Sequence, residues 1–442
     1  MPNQPKIEEA MQKSMKAAEG VVPAAPAVPQ APSVPQASAG APVMPPSRKP
    51  KPMVGNVAEA LSPKAAKQAI RQVEVKDTFD YDVAFNLAFI GAGQGGGRIA
   101  DSFWRLGYRR VAVFNLTDSD FEGLDDTIPK HSLDVGGAAK DAVFAAAQIE
   151  GREEEVWDLM VRAWGNDAEY ALVCVGLGGG SGSGTTPKII EMARNYLKSK
   201  GKPPRVGAIV SLPTTSEGQQ VCRNAVITFK KLLDMRVSPL IIIDNTRIHE
   251  LYKPPMAQLH RLANDSVSQY LHLFNQLAAV HSEMFTFDHS ELAQLLDSGI
   301  VVMGAATIGD VDTITSPADV SAAIRDELTN NVLAEVDLRQ GLKGCCLFVA
   351  SNEVLSTFSM DYFEAGFTQL DRLLGSARSG DVTPVLHRGL YSGDTQGLQA
   401  YTMIAGVDPP KKCLSELAKK AGLDRDAQRM GLAEFLGVDD AR

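Results

Sequence analysis

From residue 84 onward, short apolar runs recur with almost no polar interruption: Phe85–Ile90, Val111–Phe114, Ala171–Val175, Val206–Val210 and Leu240–Ile243. A strand with one wet face alternates between apolar and polar positions. Unbroken short runs rich in branched residues are the pattern of strands buried on both faces of a parallel sheet. The segments between them predict helices over Arg98–Leu106, Ala138–Gln148, Pro187–Lys198 and Gly218–Met235. Strand, helix, strand, repeated, implies an α/β fold with a doubly wound, mainly parallel sheet. Such sheets bind ligands at the carboxyl ends of their strands. A longer stripe follows over Met256–Val280, with Leu259, Ala263, Val267, Tyr270, Phe274 and Leu277 at helical spacing. It predicts a long central helix whose apolar side is core.

Beyond residue 299 the rhythm changes to a candidate strand Cys345–Ala350, helix Met360–Leu374, and strands Val382–His387 and Ala400–Gly406. This predicts a second, smaller α/β domain. Before residue 84 the pattern fails. Lys6–Glu19 could form a short amphipathic helix, and Lys64–Val75 has helical composition. Val21–Pro52 is dominated by Pro, Ala and Val, too poor in large apolar residues to build a core. The expected division is a mobile Pro/Ala-rich extension over 1–80, a nucleotide-binding domain over 81–255 and a central helix with a following loop over 256–299. A second α/β domain over 300–408 and a peripheral helix or tail over 409–442 complete it.

Composition narrows the function. At 442 residues the chain can hold two domains. A formal charge of −9 argues against direct nucleic-acid binding, which wants a basic face. No apolar run approaches the roughly 20 residues of a membrane-spanning helix. The N-terminus, Met1-Pro-Asn-Gln-Pro-Lys6, lacks the layout of a secretory signal, so a cytoplasmic protein is expected. Five cysteines, Cys174, Cys222, Cys345, Cys346 and Cys413, show no metal-ligand spacing. Cys174, Cys345 and Cys346 sit in apolar runs and are expected to be buried thiols.

The candidate chemistry lies in two glycine loops. Gly176–Pro187 reads GLGGGSGSGTTP, between a predicted strand and a predicted helix. Gly178, Gly179, Gly180, Gly182 and Gly184 would let backbone N–H groups close on an anion and adopt φ values other residues avoid. A helix starting near Thr185 would aim its positive end there, and Ser181 and Ser183 would add hydroxyl donors. The pattern reads as a phosphate cradle, though without the lysine of a Walker loop. A flexible linker is the alternative, but linkers do not join a buried strand to a helix. Directly after Phe85–Ile90 comes Gly91-Ala-Gly-Gln-Gly-Gly-Gly-Arg98. Its G-x-G-x-x-G spacing (Gly91, Gly93, Gly96) also suits a dinucleotide, but two glycine loops of different grammar on one sheet fit that poorly.

Gly178-Gly-Gly-Ser-Gly-Ser-Gly184 resembles the GGGTGTG signature of the tubulin/FtsZ GTPase superfamily, with serine at both threonines. Other stretches resemble the family's loops in the family's order. Gly93, Gln94, Gly95, Gly96 and Arg98 match the first nucleotide loop, and Leu116-Thr-Asp118 matches the second. Gly136, Gly137 and Ala138 stand where the γ-phosphate is sensed. Pro213 to Gly218, with Pro213 and Glu217, is similar to the ribose loop without its aromatics, and Val221 stands where FtsZ has arginine. Asn245, Asn264 and Asp265 match the guanine contacts, with His260 where an aromatic residue stacks on the base. The resemblance covers about residues 84–408 and implies GTP/GDP as ligand with magnesium (Mg²⁺) to neutralise phosphate charge.

The family completes its active site with a loop from the neighbouring subunit, usually Asn-x-Asp-x-x-Asp/Glu. Thr286-Phe-Asp-His-Ser-Glu291 matches it, with Asp288 and Glu291 as the implied catalytic acids and Thr286 for the asparagine. Three residues apart, the acids would share one face of an incipient helix and address one water. Their alternative role is as acids favoured at a helix N-terminus. The resemblance implies a GTPase that polymerises with itself, head to tail, into cytoskeletal filaments. An adaptor or anchor could act through the N-terminal arm or C-terminal tail. The competing readings are a non-hydrolysing scaffold of the same fold, a dinucleotide-dependent oxidoreductase, and an anchoring protein whose main business is its Pro-rich arm.

Overall fold

A computed structural model describes residues 75–423, apart from 253–255, 331–332, 378–382, 394 and 396, and the side chains of 251–259 and 330. The predicted N-terminal helix, the Pro/Ala-rich stretch, nearly all of the Lys64–Val75 arm and the C-terminal tail lie outside these residues.

The nucleotide-binding half is built as strand and helix in turn: β1 (Leu87–Ala92), α1 (Gly93–Leu106), β2 (Val111–Asn115), β3 (Lys130–Ser132), α2 (Ala142–Ile149), α3 (Glu153–Trp164), β4 (Tyr170–Gly176) and α4 (Gly180–Ser199). Then come β5 (Val206–Leu212), α5 (Gln219–Asp234), β6 (Leu240–Asp244), α6 (Asn245–Tyr252) and the long α7 (Met256–Leu277). The rest comprises α8 (His289–Leu296), β7 (Ile300–Gly309), α9 (Pro317–Asn330), β8 (Lys343–Ala350), α10 (Asn352–Thr357), α11 (Met360–Leu373), β9 (Val385–Ser392), β10 (Leu398–Ala405) and α12 (Lys411–Lys420).

Among the described residues these strands form one sheet in the order β3-β2-β1-β4-β5-β6-β7-β10-β8-β9. Pairing is parallel from β3 through β7, antiparallel on both sides of β10, and parallel again between β8 and β9. The second α/β layer therefore joins the first sheet, through a short parallel contact of Leu240 with Ile300 and Ile241 with Val301. Every residue of β1, β2 and β6 is buried, as their unbroken apolar sequence requires. Alternate side chains enter two cores: Ala88, Ile90 and Ala92 pack with α2, α4 and α5, whereas Leu87 and Phe89 pack with α1, α7 and α8. No helix among the described residues is long and apolar enough to cross a membrane. All five cysteines are free and buried, as expected of Cys174, Cys345 and Cys346.

Several predicted boundaries move. The helices expected from Arg98 and Pro187 begin at Gly93 and Gly180, inside the glycine loops. α2 begins at Ala142 instead of Ala138, because the Asp141 carboxylate accepts from Val143 and Phe144 N–H and caps it there. β9 runs from Val385 to Ser392, later than Val382–His387. Periodicity missed β3, α3, α6, β7, α9 and α10 altogether. The expected 1–80 extension ends earlier. The Asp77 carboxylate pairs with Arg110 at 2.8 Å, and the Phe79 and Tyr81 rings lie against Tyr108 and His272. The start of the expected tail is α12, which buries Cys413, Leu414, Leu417 and Ala418.

Candidate nucleotide-binding site

In chain order β1, β2 and β3 step one way across the sheet, and β4, β5 and β6 step the other. The winding reverses between β1 and β4, which pair over their whole length, and a crevice opens at their carboxyl ends. Both glycine loops emerge there. Sequence could not show their contact: a Cβ on Gly93 would lie 2.8 Å from Gly182 N, and one on Gly182 would lie 2.7 Å from Ala92 O.

That contact revises why the glycines are there. None of Gly178, Gly179, Gly180, Gly182 and Gly184 has a positive φ, contrary to expectation. Four of the five face protein. A Cβ on Gly184 would stand 2.3 Å from Ala142 O, and one on Gly178 would stand 2.4 Å from Val221 Cγ1. A Cβ on Gly180 would meet Ala138 Cβ and Asp141 N at 2.8 Å. Gly96 follows the same logic, its Cβ falling 2.1 Å from Cys174 O. Gly179 is the open one, with Gly176 O at 3.7 Å as its nearest neighbour. Close packing of two βα units accounts for most of the signature, and this packing brings the N-termini of α1 and α4 side by side.

Because α4 starts at Gly180 and not near Thr185, the N–H groups of Gly180, Ser181 and Gly182 fall in its first turn, where helix geometry leaves donors unpaired. With the dipole they make a candidate anion site. Ser181 is half-buried on this turn. Ser183 is not a donor to it: its side chain is buried and its hydroxyl donates to Leu177 O. Gln94, Gly95 and Arg98 are exposed on the first turns of α1.

The Gly136–Ala138 loop closes the crevice. Asp134, Gly136, Gly137, Ala139 and Lys140 have φ of 51°, 77°, 83°, 45° and 67°. Turns of this kind are where successive N–H groups can form an anion-binding concavity. The N–H groups of Gly136, Gly137, Ala138 and Ala139 have no partner among the described residues. Asn224 of α5 ties this loop to the signature loop. It is buried, and its Nδ2 donates to Lys140 O at 2.9 Å and Gly178 O at 3.3 Å. Sequence reading missed Asn224, although a lone amide on the buried side of α5, between Val221 and Thr228, was its visible sign. Asp118 is exposed beyond β2. Pro213 is buried, and Glu217 reaches back to Thr214 N at 2.8 Å, shaping the ribose loop.

Asn245 opens α6, with the Asp244 carboxylate accepting from Thr246 and Arg247 N–H. The Asn245 side chain is buried and its Oδ1 has no partner among the described residues. A desolvated acceptor costs about 1–3 kcal/mol if left unpaired, so a ligand N–H fits there. On α7, Asn264 is buried and His260 exposed. Asp265 is bound by Arg105 at 2.8 Å and Arg261 at 3.6 Å, so its carboxylate is already engaged, a partner the sequence did not reveal.

Asp288 and Glu291 lie elsewhere. The end of α7 is tied to the amino end of β1, with Asn275 O accepting from Ala84 N–H, and the His289 ring lies 4.3 Å from the Phe85 ring. Six residues of β1 separate that end from the glycine loops, roughly 15–20 Å. Their alternative role, as acids at a helix N-terminus, is the one their hydrogen bonds describe. Asp288 is the N-cap of α8, its Oδ1 accepting from Ser290 N, Ser290 Oγ and Glu291 N. Glu291 Oε2 accepts from Asp288 N at 3.0 Å, completing a capping box. The Ser290 hydroxyl and these N–H groups hold the Asp288 carboxyl below its ordinary range. Thr286 Oγ1 is tied to Ser282, accepting from its N–H and donating to its O.

Two glycine loops at the switch point of a doubly wound sheet, beside a loop whose main-chain N–H groups have no partner among the described residues, make the candidate site of a protein that cradles phosphates with its backbone. Residues 86–253 match the model of the Tubulin/FtsZ family, GTPase domain. It is 29% identical over 336 residues to a tubulin-like protein CetZ of Pyrococcus abyssi, covering 72% of this chain and 84% of that protein. Among solved structures, the GTPgS-bound protofilament of CetZ2 from Haloferax volcanii superposes with a TM-score of 0.63 at 18% identity, covering 77% of this chain and 99% of that one. The GTPyS-form protofilament of TubZ from Bacillus thuringiensis serovar israelensis gives 0.64 at 19%, covering 82% and 96%.

Proposed function

We propose that this chain binds and hydrolyses GTP and assembles with itself head to tail, each subunit's Asp288 and Glu291 completing the site over its neighbour's nucleotide. The observation that carries the reading is the placement of the acids. They stand at the amino ends of the strands and the phosphate cradle at the carboxyl ends, so one subunit holds both halves of an active site but cannot close them on each other. Translation along the strand direction brings the two halves together. A heterologous contact of this kind propagates as an open filament. The protofilaments named for the CetZ and TubZ structures support it.

The roles follow from the geometry. The first turn of α4 and the N–H groups of Gly136–Ala139 hold the phosphates. Asn245 Oδ1 accepts from the N–H edge of guanine, which relieves its burial. Glu217 and Pro213 flank the ribose. Bound with the nucleotide, Mg²⁺ would supply charge neutralisation on the phosphate oxygens. In the reaction a water oxygen attacks the γ-phosphorus, the bond to the β–γ bridging oxygen breaks, the electron pair leaves with GDP, and the water's proton passes to an oxygen of the departing phosphoryl group. Asp288, whose hydrogen bonds favour its anionic form, orients and polarises that water.

The test is turnover against protein concentration, with electron microscopy in GTP, GDP and a slowly hydrolysed analogue. Activity per subunit should rise steeply and plateau as filaments form. Asp288→Asn should assemble yet hydrolyse at least tenfold more slowly. A cradle-defective chain with intact acids should restore turnover by co-assembling with it. Activity independent of concentration, or no rescue despite co-assembly, refutes the shared site. One observation favours a second reading, the non-hydrolysing scaffold: the capping box already engages both acids. Filaments without turnover would establish it.

A further inference from the structure

Both oxygens of Glu291 are occupied. Oε2 accepts from Asp288 N, and Oε1 accepts from His387 Nδ1 at 2.9 Å. His387 belongs to β9, some hundred residues further along the chain, and its side chain is 7% exposed. β9 docks the whole acidic loop. Tyr391, on the same strand face as His387, accepts from Phe287 N at 2.8 Å and donates to Phe287 O at 3.2 Å. Between them, Gly389 leaves room, since a Cβ there would come within 2.7 Å of Tyr391.

The His387 ring differs from an ordinary core histidine. Buried imidazoles generally satisfy both ring nitrogens. Here Nε2 is buried and has no partner among the described residues, so the ring's one polar contact is with Glu291. Nδ1 carries the hydrogen in this contact, and the bond fixes the carboxylate's rotation about its last torsion. Without it, Glu291 would keep only the Asp288 N–H and could swing about that single anchor.

We propose that His387 is a positioning residue for hydrolysis, its Nδ1–H holding the Glu291 carboxylate in the orientation presented to the neighbouring subunit's nucleotide. This rests on the shared-site reading above. His387 touches neither nucleotide nor water; it acts through Glu291. Nothing in the family signature points to it, because it lies outside the acidic loop and beyond residues 86–253.

Three substitutions separate positioning from bulk. In His387→Asn the amide nitrogen takes nearly the place of Nδ1, in His387→Gln nearly that of Nε2, and His387→Leu removes both. Each is measured for filament formation, GTP affinity, thermal unfolding and kcat in filaments. The Leu and Gln variants should lose roughly ten- to a hundredfold in kcat, the scale of a misplaced catalytic group, with assembly and GTP affinity unchanged. The Asn variant should stay within about threefold of wild type, because it restores the bond to Glu291 and forgoes only packing. In a Glu291→Gln background, His387→Leu should lower kcat no further, since the two act as one unit. Wild-type turnover in His387→Leu, equal losses in Asn and Leu, or additive losses in the double variant would overturn the positioning role. If Glu291→Gln is slow while His387→Leu is normal, only this inference fails. If Glu291→Gln itself turns over normally in filaments, the shared-site reading fails and this inference falls with it.

Discussion

Replacing one glycine at a time should separate those that let the fold close from those that leave room for a ligand. In Gly96→Ala the new methyl carbon falls 2.1 Å from Cys174 O and 2.8 Å from Cys174 C, both backbone atoms of a central strand. Ordinary contact starts at 3.4 Å, so α1 must lift off β4 by about 1.3 Å or the strand must bend. Ile99, Ala100 and Phe103 sit on that side of α1 with almost no exposure and would lose their packing. Overpacking costs about 1–3 kcal/mol, at the upper end where neither side is a movable side chain. Alanine's better helix propensity returns up to about 1 kcal/mol, leaving a net loss near 2. Gly179→Ala is the opposite case. Its φ of −73° and ψ of 160° suit alanine, and nothing lies within 3.7 Å. Stability should change by less than about 0.5 kcal/mol. The methyl would nevertheless stand at the mouth of the cradle, and losing one charge-assisted hydrogen bond to phosphate weakens GTP binding about tenfold or more. Thermal unfolding without nucleotide and titration with a fluorescent GTP analogue measure both. Equal loss of Tm in the two variants, or wild-type affinity in Gly179→Ala, would refute the argument.

Four more expectations follow from the same geometry. Gly180→Val should fold yet lose nucleotide binding, because its side chain displaces the Ala138–Asp141 segment; unchanged affinity would place the cradle elsewhere. Asn245→Ala should narrow the preference for GTP over ATP by about tenfold, as the loss of one buried hydrogen bond to the base, and competition binding that shows no change would remove it from guanine recognition. Glu327 is fully buried with Thr402 as its hydrogen-bond donor, and burial pushes its carboxyl from an ordinary 4.5 up to about 8. The folded state then binds a proton the unfolded chain lacks, so this contribution is whole below pH 4.5, declines as pH rises, and is gone above about pH 8. Glu327→Gln should flatten that decline in pH-dependent unfolding, and an unchanged slope would refute it. Deleting residues 1–52 should leave unfolding cooperative and GTP binding intact, whereas deletion through Tyr81 leaves buried Arg110 with Asp167 alone and uncovers the Tyr108 and His272 rings, and should lower Tm; equal Tm in the two truncations would contradict this.

What the sequence determined by itself is whatever local patterning encodes. Buried parallel strands announce themselves as short unbroken apolar runs, so β1, β2, β4, β5 and β6 were legible to within a few residues. The glycine loops were legible because a chain rarely strips its side chains between a strand and a helix, and the order of loops pointed to the family later matched over residues 86–253. The acidic loop was recognisable from its spacing, but spacing says nothing of side-chain direction. Tertiary structure decided that Ser183 turns inward to Leu177, that Asp265 is engaged by Arg105, and that Asp288 and Glu291 cap α8 while lying opposite the cradle. It also decided which glycines serve packing, since that depends on β1 lying beside β4, two strands about eighty residues apart in the chain. Asn224, which joins two loops, and His387, which grips Glu291, belong to the same class. Their partners are distant in sequence, and hydrogen bonds across such gaps leave no periodic trace. Only the packing of the sheet and its helices puts those atoms within reach of one another.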